Sequence, residues 1–206
     1  MKWVVIGAHL LRDDIESPAE PIAAGELFLS GLAIPDEQPA GDRELLLRVA
    51  RLRAALLDRA TFIAIRYGFV ITSRDEVAAK CAPHFARWRE LLEKHRGQVE
   101  MTMKVVATTH AETPQRQNFT SGAEYLRALH AATKAVTIDP SFREEAERLL
   151  ADGRWLHRDN QSLELAALVA RDDVEKVKHN GIALKERFPQ VAFLLSGPWP
   201  LEVFGE

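Results

Sequence analysis

Three times along this chain a small polar residue stands three places ahead of a glutamate at the threshold of an apolar run with helical spacing: Ser73 and Glu76, Ser121 and Glu124, Asp172 and Glu175. In such a pair the first side chain accepts a hydrogen bond from the glutamate's backbone N–H, and the glutamate reaches back toward the cap. Donors that a helix start leaves open are thereby satisfied. A fourth start is marked by Asp139 ahead of Pro140, because proline's fixed φ and missing N–H suit the first helical position. Strand-like runs alternate with these starts, so the chain reads as α+β.

The runs between the caps have their own signatures. Lys2 to His9 is compact, apolar and rich in valine and isoleucine, which predicts a buried strand. Prolines and glycines dominate Ser17 to Asp42, which predicts loop on both sides of one short strand near Leu27 to Ile34. Asp42 to Arg59 has Leu45, Val49, Leu52 and Leu56 on one helical stripe. Leu46, Leu47 and Leu57 widen that stripe, so the helix is expected to bury most of one side against a sheet.

Thr61 to Thr72 is β-branched and aromatic and predicts a strand, with Gly68 marking a bulge or a close approach. The helix after Ser73 turns Val77, Cys81, Phe85, Trp88 and Leu92 inward, and Pro83 predicts a kink or break in it. Gln98 to Thr109 alternates as a half-buried strand with Glu100, Thr102 and Lys104 on the solvent side. Helices follow from Gly122 and Pro140. Beyond a polar corner at His157 to Ser162, LELAALVAR predicts a central strand. One more helix and a strand at Val191 to Leu195 complete the order β, β, α, β, α, then β, α, α, β, α, β. That order suggests two small α/β units: residues 1–97, and residues 98–206 as a ferredoxin-like split βαβ unit with an added helix.

Composition excludes several roles. Net charge is −3, so no global basic field favours nucleic acid, and local basic residues on the last helix are interleaved with acidic ones. A lone Cys81 excludes an intramolecular disulfide and a thiolate metal cluster, which fits a reducing cytoplasm. No apolar stretch reaches the ~18 residues of a membrane span.

Chemistry-bearing patterns are sparse. There is no phosphate-cradling loop, dinucleotide fingerprint or nucleophile elbow. The histidines show no i, i+4 pair, and His84 and His95 would stand about 16 Å apart on one helix. His157 with Asp159 is a fragment that reads either as a solvated turn or as part of a metal or acid-base site. Cys81 sits at a core position. Glu100 and Lys104 are about 13 Å apart on one strand, so each is expected to meet a separate partner, Arg66 being one candidate. No catalytic, cofactor-binding or metal-binding residues are assigned, and no cofactor is implied.

The chain closes on SGPWPLEVF, Ser196 to Phe204. Exposed apolar surface costs about 25 cal/mol per Å², so this segment is expected to dock, with Gly197 giving the bend and Pro198 and Pro200 stiffening the path around Trp199. Trp199 is expected to pack into the second unit or between the two, and Trp199→Ala to cost about 3 to 5 kcal/mol if the ring is fully buried.

Five segments in order carry a resemblance: RYGFVITSRDEV (Arg66 to Val77), GQVEMTMKV (Gly97 to Val105), SGAEYL (Ser121 to Leu126), LELAALVAR and LLSGPWPLEVF. Together they resemble the gas vesicle protein F/L family from about Leu45 to Phe204. The resemblance implies a non-enzymatic cytoplasmic accessory or minor structural protein of gas vesicles. Its partners would be the small hydrophobic shell protein and other gas vesicle accessory proteins, during nucleation and assembly. Arg66, Gly68, Glu100, Lys104, Gly197, Pro198, Trp199, Pro200 and Phe204 are the structural or partner-binding candidates. Two alternatives stay open: a ferredoxin-like small-molecule-binding protein or enzyme using His157, Asp159 and Glu100, and a regulatory protein that has lost the vesicle role.

Overall fold

Strand β1 (Lys2–Leu10) is buried from Val4 onward, and its two faces serve two different helices. Val4 and Ile6 pack with Leu45 and Val49 of helix α1 (Arg43–Leu57), whereas Val5 and Ala8 pack with Val77 and Cys81 of helix α2 (Arg74–Lys94). Strict alternation would put Ala8 on the α1 side. A bulge intervenes: opposite β3 (Leu27–Ile34), Val5 faces Gly31 and Gly7 faces Ser30, leaving Ile6 as the extra residue that reverses the alternation. The continuous apolar run of β1 thus records a strand covered on both faces.

The structure is a computed structural model that describes residues 2–10, 19–36, 42–108, 112–157, 159–202 and 204. The chain forms two compact units, residues 1–99 with 198–206, and residues 100–197. In the first, the sheet order is β2-β3-β1-β4, with β2 at Glu20–Ala24 and β4 at Ile63–Ala64, and β5 (Val70–Ile71) also pairs with β1. The last residues, expected with the second half of the chain, lie in this unit.

Several local expectations need correction here. The loop expected before Leu27 contains strand β2, antiparallel to β3 with Pro21 opposite Ser30. Proline hides such a strand from a sequence reading but is tolerated because β2 is an edge strand. The single strand expected at Thr61 to Thr72 is split into β4 and β5 by a turn closed by the Phe69 N–H donating to the Arg66 carbonyl at 3.2 Å. Helix α2 is one helix despite Pro83, whose position is exposed, as is Ala79, so the freed carbonyl faces water. Its cap forms as expected, Ser73 Oγ accepting from the Glu76 N–H at 3.4 Å.

Unit two carries a sheet of order β7-β8-β6-β9, with β6 at Gln98–Val106, β7 at Arg154–Leu156, β8 at Ser162–Ala170 and β9 at Phe193–Trp199. Helices α3 (Gly122–Lys134) and α4 (Pro140–Leu149) precede β7, and α5 (Val174–Arg187) precedes β9. Phe142 of α4 is fully buried and meets Phe188 at 5.4 Å and Phe193 at 5.1 Å between ring centroids. Ser121 caps α3 as its spacing from Glu124 predicts, and Asp139 caps α4 just ahead of Pro140. The expected cap at Asp172 is absent. Residues Arg171–Asp173 make a tight turn ahead of α5, which leaves Asp173 at the cap position with helical φ and ψ and no side-chain bond. Strand β7, too short to show periodicity, was not expected.

Candidate partner-binding cleft

Helix α1 buries Leu45, Val49, Leu56 and Leu57 but leaves Leu46 and Leu47 in water, 42% and 51% exposed. The wide stripe read from sequence is therefore only partly a core face. Leu46 borders a cleft of about 410 Å³ together with Ala50, Ala54 and Leu57, opposite Pro198, Trp199 and Pro200.

The terminal segment is held by a residue that the sequence reading did not single out. Leu201 is 1% exposed, its N–H donates to the Phe62 carbonyl at 2.9 Å, and it bridges Ile63 in parallel fashion. Trp199 is 44% exposed. The expected buried indole is thus corrected: the anchor is Leu201, and once Leu201 and Pro200 are buried, the stiff intervening path leaves Trp199 on the cleft wall. A signal for Leu201 was present in the apolar residues that follow the second proline, but Trp199, being larger, attracted the assignment.

The cleft's polar groups are few. Arg53 donates from Nε to the Ile6 carbonyl at 3.3 Å and from Nη2 to the Ile65 carbonyl, so the guanidinium is pinned to two backbone oxygens. Burial lowers its pKa from the usual range, and the Glu202 carboxylate opposes that effect. Arg53, Tyr67 and Glu202 also line a second cleft of about 590 Å³, bordered by Arg66, His84 and Trp88, where the imidazole and indole stack at 5.3 Å.

Arg66 is exposed on that second cleft. Gly68 has φ +89° with open space around it, so the turn requires glycine for its backbone angle and not for a close approach. Phe204 is half-buried. In the other unit Glu100 is 1% exposed, which corrects its placement on a solvated face, whereas Lys104 is exposed and lies 3.4 Å from Asp159. Gly197 has φ +125° against β6.

The remaining chemical candidates have structural partners. Asp159 Oδ1 accepts from the backbone N–H groups of Gln161 and Ser162 at 2.8 and 2.7 Å, so it caps the turn into β8. The Gln161 bond is the main reason its pKa lies below the usual carboxylate value, with Ser162 and Lys104 adding to it. His157 Nδ1 donates to the Thr133 carbonyl at 3.1 Å. Cys81 is buried in the α2 core cluster, and burial raises its thiol pKa. Among the described residues no group of three or more His, Cys, Asp or Glu side chains is placed to hold a metal ion, and no helix is long and apolar enough to cross a membrane.

Fold and surface together define a two-unit α+β protein with an apolar cleft on its first unit. A family model described as gas vesicle synthesis protein GvpL/GvpF matches residues 11–201, and the chain belongs to that family. The crystal structure of gas vesicle protein GvpF from Microcystis aeruginosa is similar over 100% of this chain and 99% of its own, with 14% identity and a TM-score of 0.68. That of GvpF from Anabaena sp. PCC7120 is similar over 100% and 96%, with 14% identity and a TM-score of 0.62. At such identity the likeness establishes the fold. A search of the curated proteins returned no match.

Proposed function

We propose that this protein works in gas vesicle assembly as a non-catalytic cytoplasmic factor that binds the hydrophobic shell subunit and assists its nucleation into the shell, alongside other vesicle accessory proteins. The observation that carries the reading is the apolar cleft flanked by exposed Leu46, Leu47 and Trp199. A shell subunit with an apolar face needs that face covered until it assembles, and an apolar cleft on a folded partner can cover part of it. Family membership supports the vesicle context.

The test is co-purification with the shell subunit, together with deletion of the gene. Association in purified form and loss or delay of vesicle formation are expected. Absence of association, with vesicles forming normally in the deletion strain, would overturn the reading.

A further inference from the structure

Among the described residues the sheet edges are guarded with one exception. β2 carries Glu20 and Pro21, β4 and β5 are two residues each with β4 bridged by Leu201, and β7 is three residues long with Arg154 in it. From Phe193 to Gly197, β9 has no charge and no proline, and it ends the order β7-β8-β6-β9. The Val106 N–H donates to the Ala192 carbonyl at 2.9 Å, and the Thr102 and Ser196 hydroxyls lie 2.9 Å apart, so β9 runs antiparallel to β6. Alternation then turns the backbone groups of Leu194 and Ser196 toward β6 and those of Phe193, Leu195 and Gly197 outward.

A helix flank stands over that edge. A β-carbon on Gly181 would sit 2.5 Å from Leu195 Cδ2, so α5 crosses directly above Leu195. Asn180, Ala183 and Arg187 turn toward α4, where Arg187 pairs with Glu145 at 3.0 Å, and α4 in turn is tied to β7 at the far end of the sheet by the Trp155 Nε1–H donating to Glu147. Ile182 follows Asn180 by about 200° of helix rotation, so it points away from α4 and toward the open side of β9. Ile182 is 62% exposed and Leu194 is 65% exposed. Two large apolar side chains are thus left in water beside one unguarded edge.

The edge and the flank are complementary to themselves. A two-fold axis through Leu195 sets the outward groups of Phe193 against those of Gly197 in a second copy and those of Leu195 against their own counterpart, and no like charges meet. Phenylalanine opposite glycine also covers backbone that the glycine leaves bare. Because α5 crosses above Leu195, the same axis brings the two Ile182 side chains together. Lys178, four residues before Ile182, then faces Glu186 of the second copy, four residues after it. We propose that β9 and the Ile182 flank of α5 form a two-fold interface between two copies of this chain. A strand from another protein could use the backbone row, but it would not account for the opposite charges placed symmetrically about Ile182. The proposal goes beyond the assembly role and does not depend on it.

Sedimentation of the full chain over a concentration series tests it, with the mass expected to rise from one chain to two. Ile182→Cys should cross-link to its own counterpart under mild oxidation. Leu126→Cys is the control, 63% exposed but on α3, and should stay monomeric, while the native Cys81 is buried. Ile182→Lys sets like charges together on the axis and should abolish the dimer. Lys178→Glu and Glu186→Lys should each weaken it by about tenfold, and the two combined should restore it. Thermal melts that match wild type separate lost pairing from lost folding. A monomer at every concentration, Ile182→Cys that cross-links no faster than Leu126→Cys, a dimer indifferent to Ile182→Lys, or a double charge reversal that restores nothing would overturn the proposal.

Discussion

Gly197 lies within β9 rather than at the bend expected of it, yet its φ is positive, and its replacement by alanine is the sharpest test of why a glycine stands there. Its φ of +125° lies in a region that L side chains avoid, and a β-carbon there would sit 2.6 Å from Met101 Sδ, 3.0 Å from the Glu100 carbonyl oxygen and 3.3 Å from Met101 Cα. The methionine sulfur can move aside at little cost. The carbonyl and Cα belong to β6 and cannot move without disturbing the ladder. Backbone strain costs about 1–3 kcal/mol and crowding of a packed site about 1–3 kcal/mol, so Gly197→Ala should destabilise by about 2–6 kcal/mol. Gly68→Ala is the matched control. It has φ +89° but nothing within 4 Å, so it keeps the strain without the clash and should cost only the strain, about 1–3 kcal/mol. Urea unfolding followed by circular dichroism gives both values from midpoints and slopes. A Gly197→Ala protein as stable as wild type, or more stable than Gly68→Ala, would refute the reasoning.

Two further outcomes follow from the same geometry. Trp199→Ala should cost about 2 kcal/mol, roughly half of what a fully buried ring would, because the indole is 44% exposed; urea unfolding reads this, and a loss above about 4 kcal/mol would restore the indole to the core. Asp159→Ala should destabilise by about 1–3 kcal/mol at neutral pH, since it strips acceptors from the buried Ser162. The folded-state pKa of Asp159 is depressed, so its contribution is complete above the unfolded carboxylate value of about 4 and fades as pH falls through the lower folded value. Unfolding curves at pH 7 and about pH 3 should therefore show the gap between wild type and variant narrowing on acidification, and a gap that widens would contradict the assignment.

Local chemistry carried a large part of the fold. Ser73, Ser121 and Asp139 act on backbone groups three residues away, and their helix starts were legible from the glutamates three places after the two serines and from Pro140 next to Asp139, while the inward face of α2 followed from its period. The same logic failed at Asp172, where a tight turn took the residues that the cap needed. Strand β2 was hidden because Pro21 is a breaker everywhere except on a sheet edge, and edge position is a property of strand order. The family, too, was legible, because its motifs are short and ordered along the chain.

The candidate site was not legible, for a reason that applies to surfaces in general. Sequence told that α1 is rich in leucine, that Arg66 and the proline-bracketed Trp199 stand out, and that the chain's end is too apolar to be loose. Which of those apolar groups stay in water depends on what the rest of the chain leaves uncovered. Hydrophobicity is a property of the side chain alone, but exposure is a property of its neighbours, and those lie far away along the sequence. Leu201 took the buried place beside Phe62 and Ile63 that Trp199 had seemed to require, and Leu46 and Leu47 were left uncovered. The same residues that looked like surplus core in the linear chain became, on folding, an apolar surface left in water.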